Sequence, residues 1–359
     1  MVRFKEDIAA AQERLEAWWD GRNPGRALIQ ARGRRREPVY RVEAPQAVSH
    51  HDFWTNPDVV LPRILNEMGA TWFGGEAFPV LFPVPGRIVS ILCKYLGAPN
   101  IYVDTETTWS APIIDDWEHP PSLDWNPDNE WWQITMRNMH RCADAIRAEE
   151  LECFMGLPDL NGPTEVLSGL RNPEELCIDL ALDPEPARAA AKQVQEAWFQ
   201  AWKGITEITH QFGGYFNWMR LWSETPAIDL QSDFSTLIGP EMFGEFVLPL
   251  VVEQAKAFSR SVFHLDGPDM IRHLDQLLQV DEINAIQWVQ GAGAGRVSEW
   301  PEVMRQIHDA GKRLYVYCKP DEVETLLRLC DPQGLMMVID TEISQAEAEE
   351  LVNTVERLS

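Results

Sequence analysis

The chain has 359 residues, 45% of them hydrophobic and 24% charged, a globular composition long enough to bury a large core rather than stay disordered. Its 56 acidic residues against 31 basic ones give a net charge of −25, a field that repels nucleic-acid phosphates and anionic lipid. Residues 1–15 lack the apolar run of a secretory signal, and no stretch approaches the roughly 20 apolar residues of a membrane span, so a cytoplasmic protein without nucleic-acid or membrane partners is expected.

Taken in chain order, residues 4–20 carry apolar positions at helical spacing and end at Gly21; with the rest of residues 1–45 they are expected to form an extension packed on the main body. Strands are expected over 27–31 and 39–42, a helix over 57–68, and an irregular, Pro- and Gly-rich lid over 70–102 with a helix at 88–96. The basic run Arg32 to Arg36 has the charge to hold an anion and equally reads as a solvated loop; no site is assigned to it.

From residue 129 the alternation becomes regular. Helices are expected over 131–149, 165–169, 173–182, 184–211, 240–259, 268–278, 299–310, 322–329 and 346–358. Strands are expected over 153–156, 214–219, 261–264, 285–289, 313–318 and 335–339. This pattern predicts a parallel sheet with crossover helices, and no GxGxxG follows an early strand, so a single-domain (β/α)8 TIM barrel is favoured over a dinucleotide-binding sheet. No flexible linker or repeat divides the chain.

In such a barrel the reacting groups project from the C-terminal ends of the strands. His264 and Asp266 lie two apart at one predicted strand end and share a side of it. Cys318 and Asp340 close two later strands, while Glu224 and Asp233 follow the strand predicted at 214–219. These are the catalytic candidates, with carboxylates able to serve as acid and base. Each has a structural alternative: a core hydrogen bond for His264, a turn for Asp266, a buried apolar role for Cys318 and a helix cap for Asp340. The 15 Trp, many beside carboxylates, exceed what a core requires, so Trp72 with Glu76, Trp109, Trp222, and the strand residues Gln287 and Trp288 are read as walls of a small-molecule site.

Two stretches carry a family resemblance. Leu237-Ile238-Gly239-Pro240-Glu241-Met242-Phe243-Gly244-Glu245-Phe246-Val247-Leu248-Pro249 is similar to a Ser-Pro segment of the uroporphyrinogen decarboxylase superfamily, and Phe263 to Gly267 resembles the strand after it, where the methyltransferase branch has His-x-Cys. The resemblance implies a methyltransferase acting on a small methylated donor or a corrinoid-carried methyl group, with zinc held by His264, Asp266 and Cys318 and a corrinoid protein as partner. Asp266 stands where that branch has Cys, and Gln30 to Tyr40 is a loose echo of the decarboxylases' arginine-rich segment. The alternatives are a metal-independent lyase or hydrolase on a polar, sugar-like substrate, and a decarboxylase of a small acid. A homodimer is compatible with any of these.

Overall fold

The computed structural model describes residues 1–84, 91–105 and 107–359. Helices and strands alternate around a mainly parallel sheet. Ala227–Gln231, Arg260–Asp266, Ala285–Val289, Arg313–Cys318, Leu335–Ile339 and Leu28–Arg34 are successive parallel neighbours. Thr71–Gly75 adds antiparallel to Leu28–Arg34, and Val80–Leu81 pairs in parallel with Phe154–Met155. Single backbone bonds extend beyond these pairs: Glu76 N donates to Ile29 O, Gly156 N to Leu81 O, and Leu157 N to Phe216 O.

The central strands form where the sequence places short apolar runs between turn residues, and every residue of Leu335–Ile339 is buried. Alternation divides their side chains between two cores. Leu314, Val316 and Cys318 join the core beneath the helices, whereas Leu28, Phe78, Val262, Ala285, Tyr315 and Met336 join a second core inside the strand curve. The helix Pro184–Thr209 starts with Pro in its first turn and buries Ala187, Ala191, Val194, Trp198, Ala201 and Ile205 on one stripe.

The helix predicted over 240–259 runs from Pro240 to Lys256 but is not regular. A π-helical turn, Phe243–Val247, separates Pro240–Met242 from Leu248–Lys256. Pro249 has no N–H for the carbonyl of Glu245, and the Arg188 guanidinium donates to that oxygen instead, at 2.5 Å. Residues 39–42 form no strand, and of the helix expected over 88–96 the structure gives Ile91–Tyr95, with residues 88–90 outside the described residues.

One correction governs the site. The strand expected over 214–219 is instead an antiparallel hairpin, Tyr215–Phe216 against Trp222–Ser223, and the sheet strand is Ala227–Gln231. Phe216, Met219 and Leu221 are buried in the inner core, and the Tyr315 hydroxyl donates to Met219 O at 3.0 Å. The hairpin thus plugs the interior from the N-terminal side of the strands. Below it the helix Ile8–Trp19 closes that side: Glu16 and Asp20 pair with Arg260, the first residue of its strand, and Trp19 Nε1 donates to Trp222 O.

Candidate functional site

His264 and Asp266 stand at the C-terminal end of Arg260–Asp266, and Asp233 opens the 3₁₀ turn Asp233–Leu237 just past the neighbouring strand. His264 Nε2 lies 3.7 Å from Asp266 Oδ2 and 4.0 Å from Asp233 Oδ1. Among the described residues these three alone converge closely enough to share a metal ion. Gln287, opposite His264 on the next strand, takes Nδ1 through its Oε1 at 2.5 Å. The side-chain oxygen can only accept, so Nδ1 carries the hydrogen and Nε2 faces the carboxylates. Trp218, near the hairpin tip, sets its ring edge-on to the imidazole with centroids 5.4 Å apart.

Three further carboxyls close around this group. Gln231 Nε2 donates to Asp159 at 2.6 Å, and Phe234 N donates to Glu165 at 2.6 Å. Gly162 permits this approach, since a Cβ there would sit 1.7 Å from Gln231 O. Asp229 is buried on its strand, and its Oδ1 has no hydrogen-bond partner. Burial pushes Asp229 up to about 8, with the Asp159 charge adding to it. Burial likewise lifts Glu165 to about 7, reinforced by Asp233, and Asp159 to about 6 against the pull of the Asn161 N–H. Asp233 is raised too, chiefly by burial: its side chain is 44% exposed, but Oδ1 is enclosed and unpartnered. Burial alone would lower His264, yet Asp266 and Asp233, with Gln287, hold its proton and raise it to about 9.

The three metal-competent groups fit a divalent ion. An ion about 2.1 Å from each donor in tetrahedral geometry separates the donors by roughly 3.4 Å, close to the distances present. Fixing Nδ1 on an amide oxygen is how a ligating histidine is usually oriented, and the unpartnered Asp233 Oδ1 is a ready donor. Such an ion would replace the shared proton.

Several sequence candidates do not join this group. Cys318 points into the helix-side core because strand alternation gives the inner face to Tyr315 and Tyr317; burial raises its thiol, so it does not join the expected His264 and Asp266, and the residue that converges with those two is Asp233. Asp340 follows its strand at the same end but pairs with Lys319 at 3.1 Å. Glu224 and Trp222 sit at the hairpin base, on the opposite side of the sheet: Glu224 N bonds Glu16, and Trp222 Nε1 donates to Gly213 O. They line a cavity of about 830 Å³ there, remote from His264. Glu76 is fully buried and accepts from Arg14, Arg26 and Ile29 N, leaving nothing for a ligand.

Trp72 lies over Gly74 and Val352, against the C-terminal helix, not over the strand ends. Trp109 is exposed on the hairpin Asn100–Tyr102 and Thr108–Ser110. Trp288 is buried in the helix-side core against Trp300. Gln287 alone of the proposed wall residues touches the imidazole. Sequence reasoning missed Asp159, Glu165 and Trp218, although the first two follow a predicted strand end.

No family model matches the sequence, and no curated protein matches it significantly. Among solved structures, a methyltransferase from Methanosarcina mazei superimposes over 97% of this chain and 98% of its own length, with a TM-score of 0.58 and 14% identity. At that identity the likeness shows the fold: an α/β scaffold shared along nearly the whole of both chains. No helix among the described residues is long and apolar enough to cross a membrane.

Proposed function

We propose that the chain is a single-domain (β/α)8-barrel enzyme of the uroporphyrinogen decarboxylase type that transfers a methyl group from a small methylated donor or a corrinoid carrier. On this reading Val80–Leu81, Phe154–Met155 and the single bonds beside them complete the ring begun by the six-strand parallel run, and residues 1–45 are an extension packed on it. Methyl transfer is favoured by the sequence resemblance together with the full-length likeness to the Methanosarcina methyltransferase.

The observation that carries the site is the hydrogen bond from His264 Nδ1 to Gln287, which aims Nε2 at Asp233 and Asp266. These three would hold a zinc-class ion. Bound there, such an ion would lower the pKa of a coordinated thiol and make it a nucleophile at neutral pH. Trp218 would shield one side of the imidazole, and protonated Asp229 and Glu165 would supply donors to developing negative charge.

A second reading has its own support. Carboxyls raised to about 8, 7 and 6 within one cluster suit acid and base work without a metal, as in a lyase or hydrolase on a polar substrate. Elemental analysis of protein purified without chelators separates the two. The first expects about one ion per chain, lost in His264→Ala and Asp266→Asn, with demethylation of methylcobalamin by a small thiol dependent on that ion. A folded, metal-free wild type that cannot be loaded with zinc refutes it and leaves the carboxyls to carry the reaction.

A further inference from the structure

Two loops meet beside the candidate site. The 3₁₀ turn Asp233–Leu237 follows the strand Ala227–Gln231, and the 3₁₀ turn Pro268–His273 follows the neighbouring strand Arg260–Asp266. Asp233 belongs to the first turn, and Asp266 ends the strand that feeds the second. Among the described residues one hydrogen bond joins the two turns: His273 Nε2 donates to Ser235 O at 2.9 Å. A carbonyl only accepts, so the ring carries its hydrogen on Nε2, and burial, which lowers His273, keeps the ring neutral.

His273 is fully buried, and Phe243, the first residue of the π-helical turn, lies nearly flat on it, with centroids 4.3 Å apart and planes inclined by 19°. Among the described residues its Nδ1 has no hydrogen-bond partner. A buried acceptor left bare is a cost to folding that a leucine in the same place would avoid, so the histidine is explained by what Nε2 does. Ser235 O does not depend on it for satisfaction, because Ile238 N also donates to that oxygen, at 3.3 Å. What the imidazole adds is a fixed separation between the two turns. The far side of the Asp233 turn is tied as well: the buried hydroxyls of Thr164, Ser232 and Ser235 form a chain with steps of 2.7 Å and 2.8 Å, and Glu165 accepts from Phe234 N. The turn is thus anchored to the helix Pro163–Arg171 on one side and, through His273, to the loop after Asp266 on the other.

We propose that His273 is a positioning residue that sets Asp233 at its distance from His264 and Asp266, and so decides whether the three can close on one cation. It touches no reactant. His264 Nε2 stands 4.0 Å from Asp233 and 3.7 Å from Asp266, so a shift of about an ångström in the Asp233 turn would take its oxygen out of a shared coordination sphere. The consequence for a cation rests on the metal reading above, while the tie between the turns is geometry that holds with or without an ion.

The test compares His273→Leu, which keeps an apolar side chain and loses the donor, with His273→Gln, whose amide nitrogen reaches about as far as Nε2 and restores it. Glu76→Gln, a change in a buried ion pair outside the cluster, controls for lost stability. Zinc affinity is measured by competition with a chromophoric chelator, and coordination by the visible spectrum of the cobalt-loaded chain. His273→Leu should bind zinc about tenfold or more weakly and alter the cobalt spectrum, while His273→Gln and Glu76→Gln stay close to wild type. In metal-free protein with labelled histidine, the nitrogen NMR shift of His264 Nε2, which reports its carboxylate neighbours, should move in His273→Leu and return in His273→Gln. If His273→Leu fails to fold, His273→Asn, whose shorter amide stops short of Ser235, takes its place. Wild-type zinc affinity in the folded variant, or a loss that Glu76→Gln shares or His273→Gln does not restore, overturns the proposal. A wild type that takes no metal refutes the metal reading instead, and the His264 shift then decides: unchanged in His273→Leu, it overturns the tie; moved and restored, it upholds it.

Discussion

Replacing Glu76 by Ala should destabilise the fold severely and leave the His264 cluster intact. The carboxylate is wholly buried and accepts four hydrogen bonds: from Arg14 Nε at 2.6 Å, Arg26 Nη2 at 3.0 Å, Arg26 Nη1 at 3.1 Å and Ile29 N at 2.8 Å. Arg26 is itself 8% exposed, so Glu76→Ala strands a buried guanidinium, whereas Arg14, with 22% of its side chain exposed, can turn toward water. Breaking such a buried pair costs about 3–5 kcal/mol, and the orphaned Ile29 N–H falls within that range rather than adding to it. Glu76→Gln keeps an acceptor for Ile29 and should cost less. Urea unfolding followed by tryptophan fluorescence measures both. A loss under about 1 kcal/mol for Glu76→Ala, or a normally stable variant with impaired ligand binding, would refute the structural role and restore the binding one.

Cys318→Ser should retain wild-type metal content by elemental analysis, because its side chain lies on the helix side of the strand; loss of the ion would overturn that assignment. Gln287→Leu removes the acceptor on Nδ1 and should weaken metal binding about 10–100-fold in competition with a chromophoric chelator, with unchanged affinity counting against the orienting role. In metal-free protein, stability should fall as pH rises from about 5 to about 8. The folded-state pKa values of Asp229, Glu165 and Asp159 lie above their unfolded values, so between about pH 4 and pH 8 the folded chain binds more protons than the unfolded one. His264, raised to about 9, has the same sign above about pH 6.5; His273, lowered by burial, opposes it near and below pH 6.5 as one group against four, Lys94, lowered by burial to about 8, opposes it above about pH 8, and the lowered Glu16 and Asp20 act near pH 4 and below, outside the window. Urea midpoints across that range check it, and Asp229→Asn should flatten the fall; midpoints that stay level or rise would contradict the inferred burial.

What could be read in advance follows from where the signal lies. Ala285–Val289, Arg313–Cys318 and Leu335–Ile339 were legible to the residue because buried parallel strands are short apolar runs between turns. His264 and Asp266 were legible because strand ends are where polar residues interrupt such runs. The hairpin was not, since residues 214–219 have the β-forming composition of a sheet strand and only tertiary packing assigns them to the interior. That misreading carried Trp222 and Glu224 to the wrong end of the molecule. Glu76 and Cys318 failed for another reason: the sequence shows that a carboxylate is present but not its partners Arg14 and Arg26, and alternation puts Cys318 on one face with Leu314 and Val316, while packing alone decides that this face is the helix side.

Phe216, Met219 and Leu221 pack the inner core from the N-terminal side of the strands, so the candidate cluster at His264 rests on a filled hydrophobic floor. On the proposed reading, a molecule that meets His264 would therefore approach from the C-terminal ends of the strands. If methyl transfer is the reaction, donor and acceptor would both have to approach from that one side, past the edge of Trp218 that faces the imidazole.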